Sequence, residues 1–476
     1  MVDGTEAIGF VCRRDLPASD RPAERLQDLR PKARRARGGV SLRVLYIAHN
    51  HPSIRPGGAE QHALELHRAM SSLPEIESVL LTKGGPPVGT SGRTHEGTFI
   101  APVDGHPNEY FLYTDGYEFD YINGTITDKD FYTKHFRAFL AAIQPDVVHI
   151  QHTLHLGYEL IREVRNTLPK AAIVYTLHEY MPICARDGQM VRTRNDELCD
   201  EATPQRCHEC FPHLSPQTFF LRKRFIQAQF ELVDLFLAPS HFLMQRFIEW
   251  GIPEKKIRFE DYGRAIAAAT PERSRQHRTR LGYFGQLNPF KGVHVLLEAM
   301  RLLEADPVTD GQERVTLSIH GANLDIQDGE FRRNLAKLLD ETTKSVTLVG
   351  KYRPADVPAL MRDIDWVVVP SIWWENSPLV IQEAFLNRRP VICSNVGGMA
   401  EKVADGVNGL HFRVGDPVSL AQTIRRAAGT TDLWDQLRRG IPAVYSLDDQ
   451  VVKLGGLYRS LASNPRASER AHAVLR

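Results

Sequence analysis

Residues 366–401, WVVVPSIWWENSPLVIQEAFLNRRPVICSNVGGMAE, decide the fold. The opening run Trp366-Val367-Val368-Val369 is apolar without a break, the pattern of a parallel strand covered on both faces. After a turn, Ser377-Pro378 reads as an N-cap with proline at the first helical position, where a fixed φ and a missing N–H do no harm. The spacing predicts a helix over residues 378–386, apolar nearly all round and therefore buried. Glu383 interrupts it. Glu375 stands in the loop at the strand's carboxyl end, and Glu383 about five residues, roughly 7.5 Å, along the helix axis from Pro378. Both are expected to face the crevice in which open parallel sheets bind ligands. A lone Glu in an apolar helix reads equally well as a buried acid satisfied by an arginine or a backbone N–H. What favours a ligand is the surrounding order of strand, Pro-Ser, Glu-Asn-Ser-Pro, helix, strand and Gly397-Gly398.

At these residues the chain resembles the family-4 retaining glycosyltransferases, whose Glu-x7-Glu motif and Gly-Gly loop occupy this place in the second domain of a GT-B fold. The resemblance extends over most of residues 43–460. It implies an α/β architecture of two doubly wound, Rossmann-like parallel-sheet domains facing a cleft. It also implies that Glu375 contacts the donor sugar's hydroxyls and that Glu383 accepts hydrogen bonds from the ribose, with Asn376, Ser377 and Leu379 as further donor contacts. A carboxylate can accept from two vicinal hydroxyls at once, which agrees.

Upstream, residues 281–284 read as a strand, Gly285 as its turn and Lys291-Gly292 as the approach to a helix. The resemblance implies an Arg just after the first Gly and a Lys before the second, both on the donor's pyrophosphate. Gln286 stands at the Arg position here, so Lys291 supplies the cation and Gln286 a neutral hydrogen bond. A lysine before a helix is ordinarily just solvated; its spacing from the two glutamates favours phosphate. Strands are expected at residues 315–319 and 346–349, and Gly350, Lys351 and Tyr352 after the second flank the nucleotide base. Asp416-Pro417 caps a further helix.

The first half opens with a strand at residues 43–48, then a polar turn and Gly57-Gly58-Ala59-Glu60 at a helix start. Free backbone N–H groups and a positive dipole end meet there, which suits a phosphate, and Gly58 lets a ligand approach with no Cβ in the way. This is not G-x-G-x-x-G, which argues against a nicotinamide enzyme; it is similar to the family's GGAE loop. Between a strand near residues 79–81 and a helix near Phe131 lies a long stretch bearing Tyr110, Phe111, Tyr113, Tyr117, Phe119 and Tyr121. It reads either as an aromatic acceptor groove or as a β-hairpin packed over the sheet. Strands at residues 146–150 and 172–177 follow, the second ending at His178. The family's pattern there is His-Asp, and the resemblance carries a donor-sugar contact onto His178. Glu179 stands in place of the Asp. Helices are expected at residues 219–235 and 241–250, around a short strand at 235–238.

Cys184, Cys199, Cys207 and Cys210, the last two spaced C-x2-C, suit a structural tetrahedral zinc; the alternative is four free thiols. Four thiolates would leave no open position, so a catalytic zinc is not expected. Nor does an Asp-x-Asp motif sit at the strand ends concerned, so no cofactor is expected for catalysis.

The chain of 476 residues is too long for one ordinary core. The expected division is an arm at 1–40, an acceptor-side domain at 41–262 with the cysteine insert at 184–210, a linker at 263–278, and a nucleotide-sugar domain at 279–430. Helices at 431–461 cross back to the first domain, and 462–476 form a frayed tail. With 59 basic against 58 acidic residues there is no bulk attraction to nucleic acid. No apolar run is long enough to span a membrane, the N-terminal residues lack a secretory pattern, and six cysteines make no disulfide scaffold, so the cytoplasm is expected. The resemblance implies a nucleotide-sugar donor, a glycan or lipid-linked acceptor and peripheral contact at the inner membrane face. It also implies a front-face transfer of a hexose-type sugar with retention. The rival readings are a nucleotide-sugar epimerase of related fold and a degenerate nucleotide-sugar-binding protein.

Overall fold

Short apolar strands that alternate with helices must be covered on both faces, and the chain meets that demand twice. The computed structural model describes residues 42–54, 57–84, 98–114, 119–126, 131–266, 278–305 and 313–463. The expected arm at 1–40, Tyr117, most of the expected linker and nearly all of the expected tail lie outside the described residues.

The first sheet takes β1 (Leu42–Ala48), β2 (Ile76–Gly84), β3 (Thr98–Val103), β4 (His106–Thr114), β7 (Val147–Ile150), β8 (Ala172–Thr176), β9 (Leu235–Ala238) and β10 (Ile257–Phe259); β5 (Phe119–Asp120) and β6 (Thr125–Ile126) form a separate hairpin. Its order is β10-β9-β8-β7-β1-β2-β4-β3, parallel throughout except for the antiparallel pair β3–β4. Chain order reverses between β1 and β7, which makes that gap the sheet's switch point. Three helices of this half matter below: α1 (Gly58–Met70), α2 (Pro216–Phe230) and α3 (His241–Trp250).

The second sheet holds β11 (Arg280–Gln286), β12 (Thr316–Ala322), β13 (Val346–Gly350), β14 (Trp366–Val369), β15 (Val391–Ser394) and β16 (Gly409–Phe412), in the order β13-β12-β11-β14-β15-β16. Every pair in it is parallel, and its switch point lies between β11 and β14. Around it run α4 (Val293–Glu304), α5 (Leu379–Leu386) and α6 (Gly397–Lys402). Finally α7 (Leu447–Ala462) leaves this half and buries Leu447, Val451, Leu454 and Tyr458 in one cluster with Val44 and Tyr46 of β1, Leu66 and Met70 of α1, Val147 of β7 and Val174 of β8.

Several local expectations need correction. Helix α5 begins at Leu379 with Pro378 as its N-cap, and Ser377 does not cap it: its hydroxyl donates to Asp261 Oδ1 at 2.8 Å. Helix α2 starts at Pro216, because Ser215 accepts from the Thr218 N–H and proline occupies the first turn. That is the same Ser-Pro signal, here in its usual place. The long aromatic stretch splits. Tyr110 and Tyr113 are buried in the β3–β4 hairpin that extends the sheet, whereas Phe119 and Tyr121 lie near the surface on the β5–β6 hairpin.

The start of the expected linker is firmly held. Asp261 takes Ser377, Gln382 and Lys402, while the Gly263 N–H donates to Gln450 of α7 at 2.9 Å. A Cβ on Gly263 would lie 2.6 Å from the Ser446 carbonyl, so only glycine fits between the halves there.

Candidate active site

The second sheet's switch point is filled by one ion pair. Lys291, at the end of a short turn after β11, places Nζ 2.5 Å from Glu375 Oε1 in the loop after β14. The same oxygen accepts from Ser371 Oγ at 2.7 Å and Trp373 Nε1 at 3.0 Å. The loop is pinned from behind: the Gly398 N–H donates to the Glu375 carbonyl at 2.7 Å, and a Cβ on Gly398 would come within 1.5 Å of the Asn376 carbonyl. That contact explains Gly397-Gly398 as a packing requirement. Gln286 is exposed beside the pair, accepting from Asn288 Nδ2 at 3.3 Å.

Asn376 faces the other half, donating to the His178 carbonyl at 2.5 Å, and its Oδ1 is buried without a partner. Leu379 packs toward Gly58: a Cβ built on Gly58 would sit 3.6 Å from Leu379 Cδ1. The GGAE loop and the Glu-Asn-Ser-Pro loop therefore meet across the cleft. Trp374 stacks on Phe242 of α3 at 4.9 Å, and Glu401 of α6 accepts the His241 and Phe242 N–H groups at 2.9 Å.

His178 lies on the seam after β8, with both ring nitrogens committed to protein: Nδ1 to Tyr262 Oη at 2.6 Å and Nε2 to Gln151 Oε1 at 2.8 Å. Burial holds it neutral, well below its usual pKa, with His62, His149 and His49 adding to the effect. Glu383 is paired with Arg264 Nη2 at 3.0 Å, and Arg264 also reaches Glu65 of α1 at 3.5 Å. Burial raises the Glu383 carboxyl above its ordinary range, with Arg264 opposing. The expected ribose acceptor thus forms part of a bridge between the halves. Tyr352 lies on Phe284 and His320, whose rings stack at 4.6 Å, and Lys351 is exposed beside it.

The four insert cysteines are free and half-buried, with Cys207 and Cys210 on one turn of the helix Pro204–Cys210. Burial, reinforced by its neighbours, pushes the Cys207 thiol up to about 12. Among the described residues no group of three or more His, Cys, Asp or Glu side chains is arranged to hold a metal ion.

Sequence reasoning missed Ser371, Trp373, Asp261, Tyr262 and Arg264. Trp373 adjoins the glutamate motif and was within reach; residues 261–264 carry only a linker's composition.

Two doubly wound sheets whose switch points face one another across a seam define the GT-B class. Solved structures agree on the fold. Anabaena HepE, in complex with UDP and glucose, aligns with TM-score 0.59 and 17% identity over 88% of this chain and all of its own. Sucrose-phosphate synthase from Thermosynechococcus elongatus gives 0.63 and 17% over 88% of this chain and 99% of its own. Residues 56–259 match the family model Glycosyltransferase Family 4 and residues 278–429 the model Glycosyl transferases group 1. The chain belongs to the family-4, group 1 glycosyltransferases. Among curated relatives, D-inositol 3-phosphate glycosyltransferase of Corynebacterium efficiens is 34% identical over 34% of this chain and 40% of its own length. Lipopolysaccharide 1,2-N-acetylglucosaminetransferase of Salmonella typhimurium is 27% identical over 37% and 48%. The chain spans less than half the length of these two relatives.

Proposed function

We propose that the protein transfers a hexose-type sugar from a nucleoside-diphosphate sugar to a hydroxyl of a glycan or lipid-linked acceptor, with retention of anomeric configuration. The observation that carries this reading is the Lys291–Glu375 pair at the second switch point, set opposite Gly58. An ammonium held by one carboxylate is ready to move to a diphosphate of higher charge, which releases Glu375 Oε1 to accept a sugar hydroxyl. Lys291 and the backbone N–H groups at the start of α5 then stabilise the charge gathering on the leaving diphosphate. In the front-face route a leaving phosphate oxygen takes the acceptor hydroxyl's proton, so the protein's work is positioning. No step is assigned to a metal, and no ion to the insert cysteines; one zinc per purified chain by elemental analysis would overturn the latter.

Anabaena HepE, a protein of the same fold solved with UDP and with UDP-glucose, supports a nucleotide-sugar donor here. Among the described residues no helix is long and apolar enough to cross a membrane. Peripheral contact with an anionic membrane surface is supported by α2, which has no acidic residue and exposes Phe220 (55%) and Leu221 (63%) beside Lys223 and Arg224. We place this contact on the cytoplasmic side.

Incubation with a panel of radiolabelled nucleotide sugars, with and without membrane lipid extract, tests the activity. Label moving into an acceptor is expected. Donor turnover without acceptor would favour an epimerase, and binding without turnover a degenerate site.

A further inference from the structure

The cysteine insert reaches the seam, and the reaction proposed above gives it no task. After β8 the chain turns at Tyr180, whose carbonyl accepts the Ile183 and Cys184 N–H groups at 2.8 and 2.7 Å. Buried Arg222 of α2 donates to the Pro182 carbonyl at 2.7 Å and anchors that turn. Gly188 holds a φ of 69°, and a Cβ on it would come within 2.5 Å of Glu179 Oε2, so glycine lets the insert fold back against the strand end. The Gln189 N–H donates to the Arg186 carbonyl at 2.8 Å, and Arg186 Nη1 donates to the Val191 carbonyl, also at 2.8 Å. Backbone and side chain of Arg186 are both fixed from within the insert.

That side chain crosses to the other half. The Arg186 guanidinium lies over the Phe290 ring, its Cζ 5.6 Å from the centroid, and Phe290 is the residue before Lys291. The Phe290 carbonyl accepts the Ile372 N–H at 2.9 Å, which ties this turn to the loop that carries Glu375. Further along the insert, Asp196 is close enough to His294 of α4 to oppose burial, which lowers that imidazole's pKa. Charge decides what the guanidinium can do there. Lys291 and Glu375 cancel, Gln286 beside them is neutral, and the diphosphate of a nucleotide sugar is a dianion. Three other cations of the seam have carboxylate partners: Arg246 pairs with Glu249 at 3.6 Å, Arg264 with Glu383 at 3.0 Å, and Lys402 with Asp261. Among the described residues Arg186 forms an ion pair with no carboxylate, not even the adjoining, exposed Asp187. Its planar fork keeps donors to spare, in a geometry that fits a phosphate.

We propose that Arg186 binds the donor's distal phosphate, the one that bears the sugar, and so brings a second cation to the diphosphate from the opposite half of the molecule. Lys291 meets that phosphate because its partner Glu375 is assigned to the sugar, and Arg186 approaches it from over the neighbouring residue. The inference rests on the transferase reading and deepens it: the charge gathering on the leaving diphosphate is met from both sides of the seam.

The test is calorimetry with UDP, ADP and GDP, and with the monophosphate of whichever binds, which lacks the distal phosphate. Arg186→Gln should lower diphosphate affinity at least tenfold and leave monophosphate affinity within twofold of the wild type. Gln286→Arg, which returns a cation beside the Lys291–Glu375 pair, should recover at least threefold of that loss in the Arg186→Gln background, as it would not if Arg186 merely packed on Phe290. Should Arg186→Gln fail to fold, Arg186→Lys decides, because it keeps the charge and the apolar stem but loses the fork: diphosphate affinity should fall at least threefold, again with monophosphate affinity unchanged. Diphosphate affinity within twofold of the wild type in the variant that folds overturns the proposal, as does an equal loss for monophosphate and diphosphate. A wild type that binds none of the three diphosphates would instead sink the donor-site reading on which the proposal rests.

Discussion

Lys291 and Glu375 hold each other at 2.5 Å, so each is the other's control. Lys291→Ala should lower turnover at least tenfold, about 1.4 kcal/mol of barrier, in the radiolabel assay; a near-wild-type rate would remove it from the site. Glu375→Gln should reduce transfer more than affinity for the free nucleoside diphosphate, the latter read by calorimetry. Gly58 gives a cleaner probe, because among the described residues an added methyl meets only Leu379 Cδ1, at 3.6 Å. Gly58→Ala should therefore keep the wild-type Tm and lose donor affinity, whereas a fall in Tm with affinity intact would make the glycine structural. Glu375, Lys291 and Gly58 were legible because each sits in a short local pattern of strand, turn and helix. Asp261 and Gln450 were not. Their partners lie 116 to 189 positions away, and no local pattern announces contacts formed only when two halves meet. Glu383 is legible as a buried acid that an arginine could satisfy, but that the arginine is Arg264 is not, for the same reason.

Among the elements, α7 shows how a helix from the second half completes the first. Tyr458 on α7 brings its Oη within 2.6 Å of His149 Nδ1 and 3.2 Å of Tyr46 Oη, all three buried. Tyr458→Phe should cost about 1–3 kcal/mol in urea unfolding, since it leaves buried polar atoms unpaired. An unchanged midpoint would show those atoms satisfied by another route. Helix α2 carries the surface prediction. Phe220→Ser with Leu221→Ser should abolish co-sedimentation with phosphatidylglycerol vesicles while leaving the Tm unchanged, and phosphatidylcholine vesicles should bind neither form. Equal pelleting of wild type and variant with phosphatidylglycerol would dismiss that face. Most of the central strands are legible in the sequence to within a few residues because buried parallel strands are uninterrupted apolar runs, whereas the short outer strands β10 and β16 are not. The β3–β4 hairpin was left open because its aromatic residues suit either a buried sheet face or an exposed groove.

Across the whole molecule, buried histidines set the response to acid. Burial holds His62 and His149 down to about 3 and His67 to about 4. The folded protein keeps them neutral while the unfolded chain protonates near 6.5, so their contribution is complete above that pH and is lost as pH falls toward the folded values. At about pH 5.5 each costs about 1 kcal/mol. Glu179 acts in the opposite sense: raised from 4.5 to about 8, it stabilises most at low pH and loses that contribution as pH rises through 8. The Tm should therefore fall between about pH 7.5 and 5.5, and fall further in Glu179→Gln, where the opposing contribution is gone. A smaller drop in the variant would refute these charge states. Contact between Tyr46 and Tyr458 spans 412 positions, and it has a consequence for biogenesis. A ribosome delivers β1 and α1 early and α7 among the last described residues, so the cluster of Leu42, Val44 and Tyr46 with Leu64, Leu66 and Met70 stays only partly covered through most of synthesis. The same cluster would lack its last cover in a fragment stopped after residue 266, which ought to clump rather than behave as an autonomous half.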